Sequence, residues 1–421
     1  MDTVIKNNKK YVSKVTKMNS NKIRILFIPA FKFHSRVSHA GGQILNYYFS
    51  HFYNDDAFEV AFGYCTKTND NDYNITCTEY SRAKDFSIIY PAFALHAYSF
   101  ASKLHRIGLS NAKMLVSSFD YKNAIIKILK KANRIWHPDI VVLDWTQTNI
   151  WAYIVKKYLP DVKIIAVEHD ISFQAIYRLF PNDPYIYRSV LKNEIAALNH
   201  AHKVLVFNEK DKRLLLPYLG IDKIEKIMPF YRKYKTFPED FEKRRGVLFF
   251  GAMQRHENVE AVENFLDNIF PFLKFKNEII FYCVGGGAPE KLIKKYSSQK
   301  AIFTGFVEDP SEFFQRSFCL VVPLLHGAGI KIKVIEGMAS GLPVVTNNIG
   351  IEGIDCQSGE HYIHCNSAED FIAAIDYLYE HREICKLYAK NAISLVENKF
   401  SLEKSYEKYK QIVIGILKES R

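Results

Sequence analysis

Hydrophobic residues fall in short, nearly continuous runs separated by longer stretches of helical period. The first run, KIRILFIPA (Lys22–Ala30), is rich in Ile and Leu and reads as a strand buried on both faces. It leads into a loop carrying Gly41-Gly42 and then QILNYYFSHFY, whose apolar spacing predicts a helix, so the three pieces open a βα unit. Similar runs recur at Phe58–Phe62, Asp139–Leu143, Lys163–Val167 and Lys203–Phe207. A second series comprises Val247–Phe250, Glu278–Val284, Ala301–Phe303, Cys319–Pro323 and Pro343–Thr346. Strands alternating with helices predict an α/β fold of doubly wound parallel sheets, and two series predict two Rossmann-like domains.

Between the series, PFYRKYKTFPEDFEKRR (Pro229–Arg245) is charged, holds two prolines and keeps no period, which places the interdomain linker there. The chain closes with Ser401–Leu417, whose Leu402, Tyr406, Tyr409, Ile412 and Leu417 share one helical face. The expected organisation is a basic arm over 1–20, an N-terminal domain over 21–235 and a C-terminal domain over 245–399. The closing helix, 400–421, is expected to pack back on the N-terminal domain.

A length of 421 residues suits two domains, and 48% hydrophobic with 24% charged residues excludes disorder and small disulfide scaffolds. No apolar run reaches the ~18 residues of a membrane span, and the start MDTVIKNNKK lacks a signal-peptide core, so a cytoplasmic protein is expected. Seven scattered cysteines contain no C-x-x-C, which argues against a disulfide framework or a zinc site. The net charge of +12 is uneven: residues 1–240 hold 35 basic and 22 acidic side chains (+13), and 241–421 hold 22 and 23 (−1). Only the N-terminal half attracts an anionic partner, whether lipid, polyanionic glycan or nucleic acid. No nucleic-acid reading motif accompanies the charge, so no nucleic-acid partner is expected.

The richest segment is HGAGIKIKVIEGMASGLPVV (His326–Val345). A strand runs into a loop with Gly327 and Gly329, then Lys331 and Lys333, then a helix with Glu336. Glycines let backbone N–H groups approach phosphate oxygens, the helix N-terminus adds its dipole, and the lysines add charge. Glu336, one or two turns into the helix, is placed to accept both hydroxyls of a ribose. A tight turn with solvated lysines is the plainer alternative.

Together with FFGAMQRHENVEAVENF, IIFYCVGGG and IFTGFVED, which precede it in order, this segment resembles the retaining nucleotide-sugar glycosyltransferases of the GT-B fold, family 4, group 1. The resemblance implies two domains facing across a cleft, transfer of a sugar from a nucleotide-sugar donor, and no metal or other cofactor. Glu336 matches the ribose-holding glutamate. Gly327, Ala328, Gly329, Ile330 and Lys331 fall in the loop that touches the donor pyrophosphate and sugar, Lys331 and Glu336 counting as catalytic candidates. Gly305 to Val307 fall at the base pocket, and the Gly41-Gly42 loop matches more loosely as a donor contact. Two departures stand out. Ala328 occupies the place of a second acid, and the phosphate-binding cations expected near Ala252 and Glu257 are absent, leaving Arg255 alone there.

In the N-terminal half, His169-Asp170 follows the strand KIIAV, at the end of a parallel strand where open α/β sheets bind ligands. His169 is the third catalytic candidate, set against a loop histidine bonded to its neighbours. Asp144 and Trp145 hold a similar position, and Glu194 reads as an exposed helical carboxylate. Asp70-Asn71-Asp72 resembles a metal-binding triplet but lies among turn formers with no strand leading in, so no metal site is expected. In the arm, Val4, Ile5, Tyr11, Val12, Val15 and Met18 take one side of a helical wheel and five lysines the other, a pattern for an amphipathic helix on anionic membrane or a solvated tail.

The expected function is transfer of a sugar from a nucleotide-sugar donor to a glycan or lipid-linked acceptor in cell-surface polysaccharide or glycoconjugate synthesis, with peripheral contact to the inner membrane face. A non-catalytic GT-B partner subunit is the alternative.

Overall fold

A computed structural model describes residues 22–37, 39–90, 119–237, 240–296 and 300–418. The basic arm lies outside the described residues. The N-terminal half contains β1 (Ile23–Pro29), β2 (Phe58–Phe62), β3 (Cys65–Lys67), β4 (Lys84–Asp85), β5 (Ile88–Tyr90), β6 (Ile140–Asp144), β7 (Lys163–Glu168), β8 (Lys203–Val206) and β9 (Ile224–Lys226). Seven of these form one sheet in the order β4-β2-β1-β6-β7-β8-β9, while β3 pairs with β5. The C-terminal half contains β10 (Gly246–Phe250), β11 (Ile280–Val284), β12 (Ala301–Gly305), β13 (Ser317–Val322), β14 (Val344–Thr346) and β15 (Ile363–His364). Their order is β12-β11-β10-β13-β14-β15. Every pairing between these strands is parallel, so the doubly wound α/β architecture is present twice.

Why the strand runs are continuously apolar is visible in their packing. On β1, Ile25 and Phe27 enter one core while Leu26 and Ile28 enter another on the opposite face; Val142 and Val141 of β6 divide in the same way. Helices cover both faces, so neither set of side chains meets water. Helix Phe119–Ile135 buries Ala124, Ile125, Ile128, Leu129 and Ala132 against the second core and leaves Lys127 and Lys130 exposed. The strands absent from the sequence reading, β3, β4, β5, β9 and β15, are edge strands of two or three residues, too short to carry a period.

The two halves are tied by a return of the chain. After helix Arg382–Lys399 the last helix, Leu402–Lys418, crosses to the N-terminal half and lies on helix Ala40–Asn54. There Ser405 Oγ is 2.6 Å from Tyr48 Oη, Tyr406 donates to Asp55 Oδ2 at 3.0 Å, and Lys410 Nζ meets the same oxygen at 2.6 Å. The ring of Tyr409 packs edge-on against Phe52 at 5.1 Å. The linker is held as well: Tyr234 is buried, and its N–H donates to Ser340 Oγ at 2.8 Å. Among the described residues no helix is long and apolar enough to cross a membrane.

Candidate active site

In each sheet the strand order reverses once, between β1 and β6 and between β10 and β13. Loops leaving the carboxyl ends of such neighbours diverge to opposite faces and open a crevice. Both crevices face each other here. The N-terminal one is lined from β1, β6 and β7, and the C-terminal one by the turns after β10 and β13.

On the N-terminal wall, His169 Nε2 lies 3.1 Å from Asp144 Oδ1, both side chains buried. Trp145, held at φ +87°, lays its indole on the His169 ring at 4.1 Å and 10°. Phe31 meets that indole edge-on at 4.9 Å. The close fit explains Gly41: a Cβ there would lie 1.7 Å from Trp145 Cζ3. Gly41 and Gly42 form the first turn of helix Ala40–Asn54 rather than a loop, because His39 Nδ1 accepts the Gly42 N–H at 2.9 Å and caps the helix. Burial, and then His169, push His39 down to about 4, so it is neutral at pH 7.

Two other N-terminal readings are corrected. Glu194 is buried, because helix Pro184–Asn199 packs on helix Ser172–Leu179; it accepts the N–H groups of Ser172 and Phe173 at 2.8 and 2.9 Å and caps that helix. Burial pushes its carboxyl up to about 7. Asp70 is no turn residue either: it caps helix Asn71–Glu79 through the Tyr73 N–H at 3.1 Å and pairs with Lys32 at 3.2 Å.

On the C-terminal wall, β13 runs into the loop through Gly327, Ala328, Gly329 and Ile330 to helix Ile332–Ala339. Lys331 Nζ folds back onto the carbonyls of Ala328 and Gly329 at 2.9 and 2.6 Å, and burial pushes it down to about 8. Lys333 leaves the same helix in another direction. Its ammonium meets Asn258 Oδ1 at 2.7 Å, sits 4.4 Å over the Phe249 ring, and lies where a Cβ on Gly251 would come within 2.7 Å of it. The turn after β10, poor in cations by sequence, thus receives one from the neighbouring strand's loop. Arg255 at that turn binds Glu257 at 2.5 Å and is half-exposed. Glu336 is 5% exposed, with Oε1 accepting the Arg232 N–H of the linker at 3.2 Å; burial pushes it up to about 7. A ribose-binding role for Glu336 therefore requires the linker backbone to share the carboxylate. Gly305, at φ +68°, bonds Gly285 across the ends of β12 and β11, and Val307 follows on the same rim.

The walls touch. Arg178, on helix Ser172–Leu179, donates to the Gly327 carbonyl at 2.5 Å and to both oxygens of Glu352 at 2.8 and 2.6 Å. Lys210 adds a second cation 3.3 Å from Glu352. Against the cost of burial these cations hold the Glu352 carboxyl below the usual range. Sequence reasoning missed this clasp. Arg178 and Glu352 lie far apart in the chain, and neither sits in a motif; only the strand end before NNIGIEG marked the region of Glu352.

Residues 244–381, most of the C-terminal half, match the family model described as glycosyl transferases, group 1. An uncharacterized glycosyltransferase of Methanocaldococcus jannaschii is 26% identical over 277 residues, 59% of this chain and 67% of that protein. Sucrose-phosphate synthase of Thermosynechococcus elongatus superposes with a TM-score of 0.71 at 14% identity, over 94% of this chain and all of that one. Anabaena HepE in complex with UDP gives 0.65 at 13% identity, over 93% and 100%. Residues 244–381 thus resemble the group 1 glycosyl transferases, and the whole chain has the GT-B fold. At such identities the solved structures bear on the fold alone, and the fold places the glycine loop and His169 on opposite sides of one cleft.

The position of Lys333 has a measurable cost. Burial, then Arg255, pushes it down to about 7 from the usual 10.5. Its charging opposes folding fully below pH 7, and the penalty fades as pH rises toward 10.5, where the unfolded lysine also loses its proton. Lys333→Met should therefore raise the melting temperature at pH 7 by a few degrees, and by less at pH 10, in thermal melts at the two pH values. An unchanged or lowered melting temperature at pH 7 would show that the ammonium is stabilised where it lies.

Proposed function

We propose that the protein is a retaining, metal-independent glycosyltransferase that moves a sugar from a nucleoside-diphosphate donor to a glycan or lipid-linked acceptor in cell-surface polysaccharide or glycoconjugate synthesis. One observation carries the donor half: Lys331, Lys333 and Arg255 surround the mouth of the β10–β13 crevice, beside a glycine loop that opens a helix. Lys331 and Lys333 have no carboxylate ion-pair partner among the described residues, and cations so placed suit a pyrophosphate, whose charge grows as the sugar leaves. Glu336 with the linker backbone takes the ribose, and the rim Gly305–Val307 takes the base. HepE, of the same fold, holds UDP. The N-terminal wall receives the acceptor: His169, fixed by Asp144 and Trp145, positions the attacking hydroxyl, and aromatic faces such as Phe31 suit a sugar ring. Retention of configuration rests on the family resemblance.

A screen of nucleotide sugars by thermal shift should find a stabilising donor. Glu336→Ala should then weaken that donor about 10- to 100-fold in calorimetry with the fold intact, the effect of removing a charged acceptor. Equal affinity would take Glu336 out of the site.

The side chains of this cleft supply the charge that a divalent ion would otherwise bring, so no cofactor beyond the donor is needed. Turnover should persist in excess EDTA; strict dependence on Mn²⁺ or Mg²⁺ would overturn the metal-independent reading.

The +13 half also fits the inner membrane face, where a lipid-linked acceptor resides. Deleting residues 1–20, which carry five lysines and one aspartate, should reduce flotation with phosphatidylglycerol vesicles, and flotation of the full chain should fall as salt rises. Equal flotation of both forms would make the arm a passive tail.

A further inference from the structure

The glycine loop brings amides and lysines to the cleft but no carboxylate: Leu324 to Lys331 contains no acid. One arrives from the other domain. Asp170, directly after β7 and His169, presses against the loop where it turns at φ +69° through Gly329. A Cβ on Gly329 would lie 1.8 Å from Asp170 Oδ1 and 2.9 Å from the His169 carbonyl. Gly329 itself is buried by this contact, while Asp170 stays partly exposed.

Among the described residues no side-chain hydrogen bond is made to Asp170, unlike the buried carboxylates around it. Glu194 caps a helix, Glu352 is clasped by Arg178, Asp144 holds His169, and Glu168 accepts from Thr146. Asp170 has neighbours of opposite charge instead: Arg255 and Lys331 act on it through space and oppose the effect of its burial. A carboxylate in that setting has acceptor capacity that nothing in the fold uses. It faces the loop that, on the reading above, meets the diphosphate and the sugar. Hydroxyl groups are the donors that such an acceptor suits, since a second anion would be repelled.

We propose that Asp170 is the sugar-binding carboxylate of this enzyme, supplied across the cleft by the N-terminal domain: it accepts hydrogen bonds from hydroxyls of the transferred sugar and sets a negative charge beside the carbon that becomes electron-poor as the diphosphate departs. The inference rests on the donor-site assignment and adds to it. Recognition of the sugar is separated from recognition of the nucleotide, the first lying on the N-terminal domain and the second on the C-terminal one. The sugar is then read only when the two domains are together, with Gly329 against Asp170.

Calorimetry on the full chain tests this with UDP, UDP-glucose and UDP-N-acetylglucosamine, and with GDP and GDP-mannose, on wild type and Asp170→Asn. Wild type should bind at least one nucleotide sugar more tightly than its parent diphosphate. Asp170→Asn should bind the parent diphosphate within about twofold of wild type and lose about 10- to 100-fold in affinity for the sugar form, the effect expected of losing a charged acceptor. A melting temperature of Asp170→Asn near that of wild type separates this from unfolding. Wild-type binding of no sugar more tightly than its diphosphate would overturn the donor-site assignment and the inference with it. Retention of full sugar discrimination by Asp170→Asn, with wild type discriminating, would overturn the Asp170 assignment alone, as would restoration of discrimination in Asp170→Asn by added Mg²⁺, which would make Asp170 a metal-screened anion instead.

Discussion

The arrangement of the cleft depends on the contact between Gly329 and the His169-Asp170 strand end. Two domains can bring a donor and an acceptor together only if the carboxyl ends of their sheets approach closely, and here no methyl group fits between them. Gly329 is in the left-handed region, where glycine has no steric penalty, so one residue solves both the turn and the approach. The Arg178–Glu352 pair, with Arg178 also on the Gly327 carbonyl, holds the same loop from the side. Because it is bidentate and Glu352 is largely shielded, it fixes geometry better than an exposed ion pair.

Electrostatics then give the two walls different characters. The C-terminal wall crowds Lys331, Lys333 and Arg255, and burial lowers the pKa of both lysines. Such a site carries a folding cost that an anionic ligand relieves, so binding energy and stability are linked through the same ammonium groups. The N-terminal wall is a frame of neutral and acidic groups: the His169–Asp144 pair, the indole of Trp145, and a cluster of buried carboxylates. The left-handed backbone of Trp145 is strained for a residue with a large side chain, and it buys the stacking that orients His169.

The return of the last helix to the N-terminal half has a related consequence. Helix Leu402–Lys418 and the linker both cross between the halves, and the linker's Arg232 N–H reaches Glu336. A change in the angle between the domains is therefore felt at the carboxylate assigned to the ribose. The angle between the halves and the Glu336 carboxylate are thus coupled through the chain as well as across a surface.

Periodicity along the chain marks the local elements and the layout of the C-terminal glycine loop and its helix. Apolar runs buried on both faces mark parallel strands at β1, β6, β7, β10 and β13, because a strand with no wet face shows no alternation. The segment His326–Val345 is legible for a similar reason: its glycines, lysines and glutamate sit within one strand end, one turn and one helix, so their spacing survives in the chain. Departures from the reading arose where a partner is remote. Glu194 looks solvated until a neighbouring helix covers it, and Gly41-Gly42 looks like a loop until His39 caps the turn. Lys333 reads as one more loop lysine until it crosses to the turn after β10. Arg178 and Glu352 acquire meaning only when two sheets, formed from distant segments, meet at their carboxyl ends. Secondary structure follows from periodicity within a few residues; the cleft follows from which distant surfaces exclude water together, and a one-dimensional pattern does not record that.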